Sequence, residues 1–204
     1  MQFIASAIGD KIDNKMAGFL DVKEKDIPTI RIMQFNDFGD IHKYKFIKDY
    51  NEKNIIEFVQ QYDKGMLKRT IKSQEPPAKQ ESDIIVVVGN SLQELVVDNP
   101  KDVILLFTTV QKECELCLKF YEDYLKLVKN LAHNEDLQFA TIDAIENEVI
   151  GAKINNNLPF IKFYTSENKN QPLSYSGAML DYAITNWIME FSTNPVSRTP
   201  KYDL

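Results

Sequence analysis

Two strongly apolar runs stand out along the chain. Ile84-Ile-Val-Val-Val-Gly89 is β-branched and closed by glycine, and Val103-Ile-Leu-Leu-Phe107 is bounded in front by Asn99-Pro100-Lys101-Asp102. Unbroken runs of this length predict strands buried on both faces, as central parallel strands are. Leu137–Ile142, Phe160–Tyr164 and Leu173–Ser176 continue the strand series. Cys117, Phe120, Tyr121, Tyr124, Leu125, Val128 and Leu131 recur at offsets of three and four, the stripe of one long helix. Glu146–Lys153 predicts a short helix. Gly177 turns the chain into a closing helix over Leu180–Phe191, where Trp187 is expected to hold the helix against the sheet. The order β-α-β-α-β-α-β-β-α predicts an α/β domain with helices on both faces of its sheet.

The stretch 72–83, Lys-Ser-Gln-Glu-Pro-Pro-Ala-Lys-Gln-Glu-Ser-Asp, has no aliphatic anchor and predicts an exposed, semi-extended linker. Ahead of it, residues 1–71 carry a weaker pattern. A strand is expected over Gln2–Ala5, a helix over Lys15–Leu20, a strand pair over Thr29–Phe35 and His42–Phe46, and a helix over Glu52–Tyr62. The chain therefore divides into 1–71, a linker 72–83, a domain 84–192 and a tail 193–204.

Composition narrows the function classes. Apolar residues make up 44% and charged residues 26%, a globular balance, and the net charge of −6 disfavours an electrostatic grip on nucleic acid or acidic lipid. No run approaches the roughly 18 apolar residues that predict a membrane span. Met1 opens onto neither a basic segment nor a long apolar one, so no secretory leader is read there. The chain has only two cysteines, Cys114 and Cys117, in the order Cys-Glu-Leu-Cys. At this spacing two thiols form a redox pair or half of a metal site. A zinc site would need two more ligands, and the only histidines, His42 and His133, fall in different segments. His133 is expected to flank a helix end.

A redox role follows from the placement of the pair. Cys114 ends the segment after a buried strand and Cys117 falls in the first turn of a helix. Unpaired amides and the helix dipole favour thiolate at the first position. The second thiol, one turn on, can attack a mixed disulfide and release the substrate.

Gly89-Asn-Ser-Leu-Gln-Glu-Leu, the Cys-x-x-Cys pair, Thr141-Ile-Asp-Ala, Leu158-Pro-Phe-Ile-Lys-Phe-Tyr and Leu173-Ser-Tyr-Ser-Gly together resemble the last catalytic domain of the protein disulfide isomerase family. Asp26-Ile-Pro-Thr-Ile-Arg-Ile and Phe58-Val-Gln-Gln-Tyr-Asp-Lys-Gly-Met-Leu-Lys resemble the end of the preceding substrate-binding domain. The resemblance implies a thioredoxin-like fold, an α/β mixed sheet, preceded by an incomplete thioredoxin-like half and so by chain upstream of Met1. It implies Cys114 and Cys117 as catalytic residues and a cis bond at Leu158-Pro159 that sets the Leu158 backbone beside Cys114 to hold substrate. No cofactor or metal is required. Partners would be unfolded or misfolded proteins and an external thiol or oxidase for recycling, with no nucleic acid or membrane. The last residues, Lys201-Tyr-Asp-Leu204, resemble a retrieval signal, which implies the lumen of the endoplasmic reticulum.

Departures from the family pattern modify that expectation. Trp-Cys-Gly-His-Cys is replaced by Glu113-Cys114-Glu115-Leu116-Cys117. Leu116 cannot stabilise a thiolate as histidine does, and Glu113 and Glu115 add negative charge, partly offset by Lys112 and Lys119. A less acidic Cys114 and a more reducing couple are expected. The family's buried acid aligns with Leu106 or Thr108, neither of them acidic. Glu122 replaces a helix-kinking proline, and Ala178 and Met179 stand where an arginine is expected. Two functions remain open: a weak or specialised thiol–disulfide oxidoreductase or isomerase, and a non-catalytic chaperone-like or scaffold module of the same fold.

Overall fold

A computed structural model describes residues 11–20, 22–35, 41–80, 82–110, 114–149 and 157–198. The chain forms two compact units, Met1–Ile71 and Lys72–Leu204.

In the first unit, helix α1 (Lys11–Phe19) precedes antiparallel strands β1 (Arg31–Phe35) and β2 (Ile41–Lys45), which pair from Arg31↔Lys45 to Phe35↔Ile41. Helix α2 (Glu52–Asp63) follows. Its start is set by Asn51, whose side chain accepts from the Asn54 amide at 2.9 Å. Its end is set by Gly65 at φ +68, with Gly65 N donating to Tyr62 O and Met66 N to Gln61 O. That is a Schellman stop, and the left-handed residue in it favours glycine. Tyr44, Phe46 and Phe58 make the small core, with Phe46 and Phe58 edge-on at 5.4 Å. Ile27-Pro28 is cis, which the sequence reading did not anticipate. The strand expected over Gln2–Ala5 lies outside the described residues.

The second unit is built on a five-stranded sheet of order β3-β5-β4-β6-β7. Its strands are β3 (Ile84–Val87), β4 (Asp102–Thr108), β5 (Leu137–Asp143), β6 (Phe160–Tyr164) and β7 (Leu173–Ser174). β3, β5 and β4 run parallel; β6 is antiparallel to β4, and β7 to β6. Helix α3 (Glu115–Leu131) and helix α4 (Asp181–Phe191) cover one face. A 3₁₀ turn at Gly89–Ser91 and a π-helical turn at Gln93–Val97 help cover the other. This mixed sheet with helical cover on both faces is the thioredoxin-like α/β arrangement that the motifs implied.

Every residue of β4 is buried, alternating between two cores. Ile104 and Leu106 pack with Phe120, Tyr124, Leu127, Val128 and Leu131 of α3, while Val103, Leu105 and Phe107 face Val87, Val96 and Ala140. Trp187 binds α4 to the sheet, 5.6 Å from Phe163 and 5.0 Å from Tyr175. Gly177 leaves room for its neighbour: a Cβ there would come within 2.6 Å of the Tyr175 hydroxyl, and the tyrosine ring would have to shift.

Three expectations are corrected. β3 is an edge strand of the described sheet rather than a central one, and Val86 is 42% exposed. Its apolar run matches the central strands, and only the pairing order distinguishes it. Tyr121 and Leu125 are exposed at 38% and 45%, while Leu127 is buried in their stead. The inward face of α3 is the stripe 117, 120, 124, 127, 128 and 131, and the two exposed residues flank it. Finally, residues 146–149 form a turn and extended chain, not the start of a helix. Buried Asn147 explains this. Its Oδ1 accepts from the Gln74 amide (2.9 Å) and the Gly89 amide (3.0 Å), and its Nδ2 donates to Asp143 O and Gln74 Oε1. Glu148 N also donates to Lys72 O at 2.8 Å. The segment serves as a partner for residues 72–74, an arrangement a helix would not permit.

Candidate active site

The fully apolar β4 carries the chain to Thr108 and Thr109, both buried, and then to exposed Val110. Asp143, at the end of adjacent β5, ties this strand end in place. Its Oδ2 accepts from Thr109 Oγ1 (3.3 Å) and Val110 N (3.4 Å), and its Oδ1 from Ile145 N (3.0 Å) and Glu146 N (3.2 Å). The sequence reading assigned Asp143 no role. An aspartate closing a strand just before a turn was the available signal.

Cys114 is the N-cap of α3 and is joined to Cys117 by a disulfide, S–S 2.07 Å. The Cys114 sulfur accepts a hydrogen bond from the Cys117 amide at 3.2 Å. An amide at a helix start, aided by the helix dipole, stabilises negative charge on that sulfur. The two sulfurs are unequally placed. Cys114 is half-buried, whereas Cys117 is 1% exposed. Between them, Glu115 and Leu116 are exposed, Leu116 at 68%. Glu113 and Lys112 lie outside the described residues.

Leu158 and Pro159 arrive from the opposite direction, just ahead of β6. The Leu158-Pro159 bond is cis, and Leu158 O lies 4.0 Å from the Cys114 sulfur. A disulfide sulfur has no hydrogen to donate, so this is a contact and not a hydrogen bond. Beneath it, Phe160 stacks on Phe107 at 4.5 Å, holding the start of β6 against the end of β4. The structure thus brings Cys114, Cys117 and Leu158-Pro159 together, with Glu115 and Leu116 on the rim.

Other residues singled out in the sequence lie apart from this chemistry. His133 follows the end of α3, its Nε2 3.1 Å from Ser197 Oγ. Tyr124 is fully buried, and its hydroxyl donates to Ile104 O (2.9 Å) and Ala140 O (3.1 Å); burial pushes its ionisation far above the ordinary tyrosine value. α3 is one unbroken helix through Glu122. Among the described residues no helix is long and apolar enough to cross a membrane. Lys201–Leu204 lie outside the described residues.

The site is thus a disulfide at the head of a helix in a thioredoxin-like domain. The profile described as "OST3 / OST6 family, transporter family" matches residues 72–198. The chain is 31% identical to protein disulfide-isomerase of Aspergillus niger over 88% of its own length and 35% of that protein's. It is 30% identical to protein disulfide-isomerase A4 of Mus musculus over 72% of its length and 23% of that protein's. Among solved structures, the first thioredoxin domain of mouse protein disulfide-isomerase A4 aligns at TM-score 0.49 and 24% identity, covering 64% of this chain and 89% of that domain. The chain belongs to the OST3 / OST6 family, and its likeness to the protein disulfide isomerases, first drawn from its motifs, extends over most of its length. It spans about a third or less of the length of these relatives.

Proposed function

We propose that the chain is a thiol–disulfide oxidoreductase or isomerase acting on the disulfides of folding proteins, with Cys114 as nucleophile and Cys117 as resolving thiol. The observation that carries this reading is the disulfide at the head of α3, with Leu158 O against the outer sulfur. In the reduced state Cys114 thiolate attacks one sulfur of a substrate disulfide. A Cys114–substrate bond forms, the substrate bond breaks, and one substrate sulfur leaves as a thiolate that takes up a proton. Cys117 then attacks Cys114, closing the internal disulfide and releasing the second substrate sulfur as a thiol. Two electrons have passed to the substrate, and an external thiol must restore the pair. In the reverse sense the internal disulfide oxidises a substrate dithiol, and an oxidase recycles it. Leu158-Pro159 offers backbone to an extended client beside the outer sulfur.

Glu115 on the rim and Leu116 in place of a stabilising histidine favour a weak or specialised activity with a more reducing couple. The endoplasmic reticulum lumen is the proposed location. Equilibration against glutathione buffers tests the reading. A reversible couple nearer about −270 mV than about −180 mV is expected. A pair that never exchanges with glutathione would favour the alternative, a non-catalytic chaperone-like or scaffold module. Exposed apolar Leu116 between the cysteines is the observation that supports this second reading.

A further inference from the structure

We propose that the Gln80 side chain guards an edge of the sheet: its carboxamide holds shut the outer side of β3, which is a pairing surface for β3 of a second copy of this chain. This role lies apart from the thiol chemistry and does not depend on it.

The two edges of the described sheet differ. β7 spans only Leu173–Ser174, and a strand that short is a poor template for another chain. β3 is longer, and among the described residues its one strand partner is β5. The run Ile84-Ile-Val-Val-Val88 is β-branched and uncharged throughout, and Val86 is 42% exposed. An edge of that composition with open backbone groups invites strand addition.

Side chains close those groups. Val86 N donates to Gln80 Oε1 at 3.0 Å, and Gln80 Nε2 donates to Val86 O at 2.8 Å. One carboxamide thus takes both the donor and the acceptor of a single residue. Those are the two bonds that a residue of an incoming antiparallel strand would exchange with Val86. Alternation turns the amides of Ile84 and Val88 to the same side as that of Val86. Ile84 N donates to Ser82 Oγ at 3.1 Å and Val88 N to Ser91 Oγ at 3.0 Å. The two serines act within local turns, two and three residues from their amides, whereas Gln80 reaches across six. Gln80 itself is exposed, so the guard can swing away into water.

The edge behind it is complementary to itself. An antiparallel pair that sets Ile84 of each copy opposite Val86 of the other would replace the Gln80 bonds with backbone bonds and leave Val88 with Ser91. In that register Asp83 falls opposite Val87, so no like charges meet across the pair. The same uncharged run then serves both partners, as a twofold contact requires.

The test uses the full chain carrying Gln80→Ala. Hydrogen exchange of the Val86 amide, followed by NMR in dilute protein, is expected to quicken by about tenfold over the parent. In sedimentation velocity at rising concentration the parent should stay monomeric and the variant should pass to a dimer, with and without reductant alike. Adding Val86→Lys to Gln80→Ala should restore the monomer, because lysine on an edge opposes strand pairing. Should alanine fail to fold, Gln80→Glu, which keeps the length and loses the donor, serves in its place. Equal Val86 exchange in parent and variant overturns the guard. A variant that stays monomeric throughout, a double variant that still dimerises, or a parent that dimerises as readily overturns the pairing surface.

Discussion

The two ends of β4 have opposite characters. At its start, Asp102 is buried, and its carboxylate accepts from Ser166 N (2.6 Å), Thr193 N (2.7 Å) and Thr193 Oγ1 (2.9 Å). One side chain there anchors the chain after β6 and the chain after α4. Half-buried Lys169 hydrogen-bonds to Lys101 O close by, and burial pushes its ammonium down to about 8. At the other end the buried Thr108 hydroxyl has no partner among the described residues, Val110 is exposed and a disulfide spans the head of α3. Stability is concentrated at the closed end. The open end keeps unmet polar demand, and in α/β folds the carboxyl ends of the strands are where ligands are met.

Cys114→Ser probes the contrast hardest. Exchange with glutathione should fall to the uncatalysed background while the sheet stays folded, measured by disulfide exchange beside circular dichroism. Asp102→Ala is the complement, leaving the part-buried donors of Ser166 and Thr193 without their carboxylate. A loss of about 2–3 kcal/mol in urea unfolding is expected, with thiol reactivity of the folded fraction unchanged. Loss of exchange without loss of stability in that variant would erase the division between the ends.

Tyr124→Phe acts midway. Its single hydroxyl hydrogen is shared by Ile104 O and Ala140 O, so about 1–1.5 kcal/mol should be lost, with no change in the pH profile of the thiols. Lys169→Met has the smallest effect and shows it only through pH. The folded lysine titrates at about 8 against an ordinary 10.5, so between those values the unfolded chain holds more protons and stability rises with pH. The penalty is fully present below about 8. Unfolding of the parent should therefore show an upward slope between pH 8 and 10.5 that Lys169→Met reduces.

Much of this was legible before any coordinates. Apolar-rich runs located β4, β5 and β6 almost to the residue, because strands packed inside a sheet keep most of their positions apolar, β4 without a break and β5 and β6 with single polar residues. The cysteine pair and the helix behind it were equally plain. The failures share one cause. Val86 in an edge strand, Asn147 in a bridging turn and Leu127 in the helix stripe are all decided by partners distant in sequence. Asn147, for instance, reads as helical until Gln74 and Gly89 are beside it.

By itself the sequence determined an α/β domain with a thiol pair at the start of a helix, since periodicity and spacing are local properties. The packing of distant segments settles which strand is the edge, that Leu158 O meets the Cys114 sulfur, and that the buried Thr108 hydroxyl has no partner among the described residues. These depend on how separate segments are brought together, and a hydrogen bond made or missed between distant residues leaves no trace in the order of either segment.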